Sequence, residues 1–117
     1  MAADPLRYHD VGDAGALRDG RMLACRVEGR AIVVCRVGDA LHALDDICTH
    51  AFARMSEGRL RGTRLVCPMH GAAFDVRDGR VLSSPATRPL ARHHARTHAG
   101  RIEVALDPAA PPPAEEC

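Results

Sequence analysis

Between Cys48 and Gly71 the chain carries two Cys-His pairs: Cys48-Thr49-His50, then sixteen residues, then Cys67-Pro68-Met69-His70-Gly71. Thiolate sulfur and neutral imidazole nitrogen are both good ligands for iron and zinc. Two of each on two short loops make one four-ligand site, and a chain that builds it must bring those loops together. The order of the ligands separates two possibilities. A zinc finger usually groups its cysteines before its histidines. Here each loop offers one of each, which suits a centre of two unlike metal ions, one held by both sulfurs and one by both nitrogens.

The flanks extend the pattern. Ser56-Glu57-Gly58-Arg59-Leu60 lies in the spacer, Leu65-Val66 precedes Cys67, and Gly71-Ala72-Ala73-Phe74-Asp75 follows the second pair. Arg77-Asp78-Gly79-Arg80-Val81 and Pro85-Ala86-Thr87 come later. At all of these positions the sequence resembles the Rieske family, in which histidine replaces cysteine on one iron of a [2Fe–2S] cluster. The resemblance covers roughly residues 6 to 106. It implies one [2Fe–2S] cluster per chain, with Cys48 and Cys67 on the inner iron and His50 and His70 on the outer one. Neutral imidazole puts less negative charge on the cluster than thiolate does, so the potential rises above that of an all-cysteine cluster, into a range of roughly −150 to +300 mV.

Two comparisons with the family refine that expectation. High-potential members carry an extra cysteine in each ligand loop, joined as a disulfide; Ala53 and Met69 stand at those positions here. Hydroxyl groups that bond the cluster sulfurs are also missing, since Ala72 and Phe74 offer none. The low-potential end, with the ferredoxins that serve oxygenases, is expected. Exposed histidine ligands further imply a midpoint that falls with pH in the alkaline range. Phe52, Met55 and Met69 are candidates to shield the cluster, and Pro85 to sit in a third covering loop.

Length fits one domain with its own core: 117 residues, with no Trp, one Tyr and two Phe, so Val, Leu, Ile, Ala and Met must fill the interior. All 16 basic residues are Arg, yet the formal charge is only +1, which argues against a nucleic-acid binder. The longest apolar run, Ala31 to Cys35, is far short of a membrane span. The first residues, Met1 to Pro5, lack the basic start and apolar stretch of a secretory signal, so a cytoplasmic chain is expected. In such a compartment five cysteines suggest metal binding before disulfides.

Short strands separated by Gly and Asp turns predict an all-β fold, a Rieske-like sandwich or small barrel with a two-loop cluster-binding subdomain. Strands are expected over Leu6–Val11, Arg21–Val27, Arg30–Val37, Ala40–Asp45, Leu65–Val66, Ala73–Val76, Arg80–Leu82, Ala91–Thr97 and Ile102–Leu106. Glu28-Gly29, Gly38-Asp39 and Ala99-Gly100 read as hairpin turns. Residues 83 to 89, with two prolines, are expected to be irregular. Residues 1–5 are expected to be a flexible lead-in, 6–106 the domain, and 107–117 a disordered tail rich in Pro, Ala and Glu.

Outside the motif the expectations are plainer. Cys25 and Cys35 read as small buried hydrophobes out of register with each other, and Cys117 as incidental. His93, His94 and His98 are expected at the surface, with His93 and His94 on opposite faces of one strand. His9 and His42 are expected to be structural or exposed. Arg54, Arg59, Arg61 and Arg64 lie in the spacer; solvated surface is the default, and steering of an acidic partner the sharper alternative.

The function that follows from the resemblance is a one-electron carrier, fed by a flavin-dependent NAD(P)H reductase and discharging to a terminal oxygenase such as an aromatic-ring dioxygenase. No nucleophile, general base or substrate pocket is evident elsewhere, and these 117 residues leave no room for a mononuclear-iron catalytic domain. The alternatives are the small Rieske subunit of an assimilatory nitrite reductase and a zinc-bound structural module.

Overall fold

The computed structural model describes residues 6–49, 53–69 and 71–113. His50, Phe52, His70, Cys117 and the expected lead-in 1–5 therefore lie outside the described residues. The described chain is all-β, with ten strands: β1 His9–Asp13, β2 Met22–Val27, β3 Arg30–Val37, β4 Ala40–Asp45, β5 Arg59–Arg61, β6 Arg64–Val66, β7 Ala73–Asp75, β8 Val81–Ser83, β9 Arg92–His98 and β10 Arg101–Ala105. Two single 3-10 turns, Ala14–Ala16 and Met55–Glu57, complete the regular structure. No helix among the described residues is long and apolar enough to cross a membrane.

Six strands form a nearly closed small barrel in the order β1-β10-β9-β4-β3-β2, and four form a second sheet in the order β5-β6-β7-β8. The β2–β3 hairpin turns at Glu28 and Gly29, both with positive φ (52° and 82°). Two left-handed residues give the turn the twist that antiparallel strands require. Its register runs from Val27 opposite Arg30 to Met22 opposite Cys35, and Cys25 faces Ile32. The two strand cysteines are thus out of register, as expected.

Strand β3 explains how the two sheets share one interior. Its side chains alternate between faces. Ile32 and Val34 enter the barrel core with Leu17, Val27, Ala43, Ile102 and Val104. Val33 and Cys35 enter a second core with Leu44, Met55, Leu65, Phe74 and Leu90. A strand that feeds two cores must be apolar on both faces, hence the unbroken run from Ala31 to Cys35. Cys48 and Cys67 belong to the second core. The barrel therefore backs the four-stranded sheet, and the sulfur-bearing loops close the layer between them.

Departures from the expected strands are local. Strand β1 starts at His9, and its pairing with β10 is interrupted by a bulge between Asp10 and Gly12. Strand β5, Arg59–Arg61, was not among the expected strands; it exists because it pairs with β6. Residues 107–113, at the start of the expected tail, run beside the barrel, where Arg30 Nη2 donates to the Pro111 carbonyl at 2.8 Å.

Candidate metal centre

The two loops are built alike. The Cys48 N–H donates to the Ala53 carbonyl at 2.9 Å, and the Cys67 N–H to the Ala72 carbonyl at 2.7 Å. Each bond spans five residues and closes a loop just past a paired position, Ile47 with Arg54 in one and Val66 with Ala73 in the other. Each cysteine thus starts a loop whose neck is fixed by strand pairing, an isolated bridge in the first and the β6–β7 ladder in the second. Pro68, with φ preset, follows Cys67, and Gly71 takes a φ of 73° on the way back.

Both thiols are buried, at 2% exposure each. They are hydrogen-bond neighbours: burial pushes the Cys67 thiol up to about 11, a hydrogen bond from the Met69 N–H opposes this, and Cys48 raises it further. Two adjacent thiols, neither with a compensating cation, are a poor end state in an apolar core. A cation between them reverses the preference by holding both as thiolates. The donor set therefore fits a thiophilic metal centre. Among the described residues no third Cys, His, Asp or Glu completes a metal-binding group with them. His50 and His70, the expected partners, fall by sequence within the same loops, outside the described residues.

Three features hold the loops in place. Beneath the first, Asp46 is 1% exposed, and its carboxylate accepts from the Ser56 N–H and hydroxyl at 2.7 and 2.8 Å. Its carbonyl accepts from the Met55 N–H at 2.6 Å. Next to it, Asp45 accepts both Arg30 nitrogens at 2.7 and 2.8 Å and lies 2.9 Å from His93 Nε2. Burial raises the Asp45 carboxyl, but the bonds from His93 and Arg30 outweigh burial and hold it below the ordinary range. The third feature is the segment after β8. Ser83 donates its hydroxyl to the Gly71 carbonyl at 3.2 Å, and Thr49 donates to the Arg88 carbonyl at 2.8 Å. Residues 83–88, including Pro85, therefore bridge the two loops.

Of the candidate shields, Met55 is fully buried in the core that holds both sulfurs, whereas Met69 is 47% exposed. Ala53, Ala72 and Phe74 are buried and supply no hydroxyl. His93 departs from expectation. It is 2% exposed, bonded to Asp45 on one side and accepting from the Asp107 N–H at 3.0 Å on the other. His94, its neighbour, is partly exposed and meets the Asp107 carboxylate at 3.3 Å. Asp45, Asp46, Ser56 and His93 were not singled out as site residues from sequence; the adjacent carboxylates three and two positions before Cys48 were the available sign. Cys35 is buried and Cys25 half-buried, and burial pushes their thiols up to about 12 and about 11.

Comparison with known proteins bears on this arrangement. Residues 7–95 match the family description "Rieske [2Fe-2S] domain". Ferredoxin CarAc from Metapseudomonas resinovorans is 44% identical over 80 residues, which is 68% of this chain and 75% of that one. A chain in the solved complex of reduced oxygenase and oxidized ferredoxin in carbazole 1,9a-dioxygenase superposes with a TM-score of 0.80 at 38% identity, covering 84% of this chain and 92% of its own. A Mycobacterium tuberculosis chain, assigned as the small subunit of an NADH-dependent nitrite reductase, superposes with a TM-score of 0.75 at 27% identity, covering 89% and 98%.

Proposed function

This chain belongs to the Rieske [2Fe-2S] domain family, and we propose that it is a ferredoxin holding one [2Fe–2S] cluster on Cys48, His50, Cys67 and His70. In this reading it takes one electron at a time from a flavin-dependent NAD(P)H reductase and passes it to a terminal oxygenase, such as an aromatic-ring dioxygenase, in the cytoplasm. The observation that carries the reading is the pair of matching loop necks that set two buried thiols side by side. The cluster supplies reversible one-electron chemistry when bound. The chain's own residues fix the sulfurs, keep water from them with Met55, Leu65 and Phe74, and place both loops at one end of the fold.

The ferredoxin relatives also support the oxygenase system over the nitrite reductase reading. Ferredoxin CarAc is 44% identical, against 27% for the nitrite reductase small subunit. The test is iron and acid-labile sulfide analysis of the purified chain with EPR after dithionite reduction. Equal iron and sulfide with a reduced-state signal is expected, lost in Cys48→Ser and Cys67→Ser. Zinc without iron would instead establish the structural-module alternative. A large subunit that stays bound through purification would favour nitrite reductase over a free carrier.

A further inference from the structure

We propose that the cleft between β2 and β5 is a docking site for a carboxylate-rich protein surface, carried by this chain's electron-transfer partner. That partner's role rests on the reading above, whereas the site stands on charge and geometry. Strands β2 and β5 are outer strands of their respective sheets. Between them lies a cleft of about 630 Å³, with Arg21 on one wall, Arg59 and Arg61 on the other, and Met22, Gly58 and Leu60 between. Arg64 stands directly opposite Arg61 in the β5–β6 register, a like-charge cross-strand pair that repels unless neutralised.

Nothing in the described fold neutralises it. Arg30, Arg36, Arg54, Arg77, Arg80, Arg96 and Arg101 each pair with a carboxylate. Among the described residues Arg21, Arg59, Arg61 and Arg64 pair with none, and the nearest acids along the chain, Asp19 and Glu57, join no ion pair. Arg7, Arg18, Arg88 and Arg92 also join no ion pair among the described residues, but Arg21, Arg59 and Arg61 line one cleft together. The charged residues of the lining are all arginine, which favours a partner with planar carboxylates that the guanidinium fork binds two bonds at a time.

Placement gives the charge a use. Arg59 is the register partner of Val66, the residue before Cys67. Gly58 packs so closely that a Cβ there would lie 1.9 Å from the Val66 carbonyl oxygen. A protein surface seated in the cleft therefore rests beside the second ligand loop. Opposite charge across such a contact raises the association rate and sets orientation, and both fall with salt.

The probe is a poly-L-glutamate peptide of about twenty residues, titrated by calorimetry into the cluster-loaded chain, with poly-L-lysine as control. Binding that weakens as salt rises is expected for poly-L-glutamate alone. The double variant R59E/R61E should weaken it at least tenfold, R59K/R61K, which keeps the charge but not the fork, should fall between it and the parent, and R7E, the same sign of change at another exposed site, should leave it near the parent value. No binding by the parent chain, or equal loss in R7E and R59E/R61E, would overturn the docking site. An EPR signal unchanged in R59E/R61E separates loss of docking from loss of the cluster. A chain that takes up no cluster on reconstitution with iron and sulfide, yet binds poly-L-glutamate through these arginines, would sink the electron-carrier reading and leave the acidic-surface site standing.

Discussion

His93 Nε2 lies 2.9 Å from Asp45 Oδ1, across 48 residues of sequence, with both groups buried and Arg30 completing the carboxylate's partners. The pair ties β9 to the end of β4, three residues before Cys48. His93→Ala removes one bond to a buried charge and leaves the Asp107 N–H without its acceptor. A loss of about 1–3 kcal/mol is expected, because hydrogen bonds to charged groups sit at the upper end of the usual range. Urea unfolding measures it. The cluster spectrum should be unchanged, since Arg30 still holds Asp45; a loss confined to the spectrum would contradict this structural role.

Gly58 tests the neck of the second loop. Its backbone is not left-handed, but a Cβ would collide with the Val66 carbonyl oxygen, which has no room to yield within the β5–β6 ladder. Gly58→Ala is expected to shift β6 and displace Cys67, so cluster content should fall together with stability, by more than the about 1 kcal/mol typical of a point mutation. Iron analysis of freshly purified variant protein checks it. Gly29→Ala is the contrast: nothing lies within 4 Å of its added Cβ, so only backbone strain at φ 82° remains, and cluster content should be kept.

Why some of this was legible in sequence and some was not follows from the range of the interactions. The hairpin at Glu28-Gly29 and the turn at Ala99-Gly100 depend on a few adjacent residues, so their chemistry shows locally. The run Ala31 to Cys35 announced a strand buried on both faces, and β3 does feed two cores. The Cys-His spacing announced the loops. Strand β5 was invisible, because Arg-Leu-Arg has no strand signature of its own and is ordered by β6. The burial of His93 was equally hidden, because its partners Asp45 and Asp107 come from β4 and from beyond β10. The arginine spacer could be read as charge, but which arginines lack a carboxylate required the fold.

The midpoint potential should lie toward the lower end of the range open to mixed Cys/His ligation, roughly −150 mV. Hydroxyls near the loops are already committed: Thr49 to the Arg88 carbonyl, Ser83 to the Gly71 carbonyl and Ser56 to Asp46. Ala72 and Phe74 add none, and one donor contact to sulfur among the described residues is a backbone one, the Met69 N–H to Cys67 at 3.5 Å. Ala72→Ser introduces a hydroxyl beside the Cys67 loop neck and should raise the midpoint, because a donor to sulfur stabilises the reduced, more negative cluster. Protein-film voltammetry reads the shift. A parent midpoint well above zero would overturn the low-potential expectation.

Acid should unfold the chain through Asp75. The carboxylate is 2% exposed, and Arg77 donates to it at 2.7 and 3.0 Å, with Arg80 at 3.4 Å. Bonding to Arg77 holds it at about 2 against the opposing effect of burial, below an ordinary value of 3.8. The folded value is the lower one, so the group favours the folded state at any pH above its unfolded pKa, and that contribution disappears as pH falls from about 4 to about 2. Arg77 and Arg80 are largely exposed, so screening by water keeps the contribution to about 1–2 kcal/mol. Asp75→Asn should cost that amount at pH 7 and flatten the loss of stability between pH 4 and pH 2. Denaturation midpoints across pH 2–7 decide it; an acid limb equally steep in Asp75→Asn would place the sensitivity elsewhere, with Asp45 the next group to test.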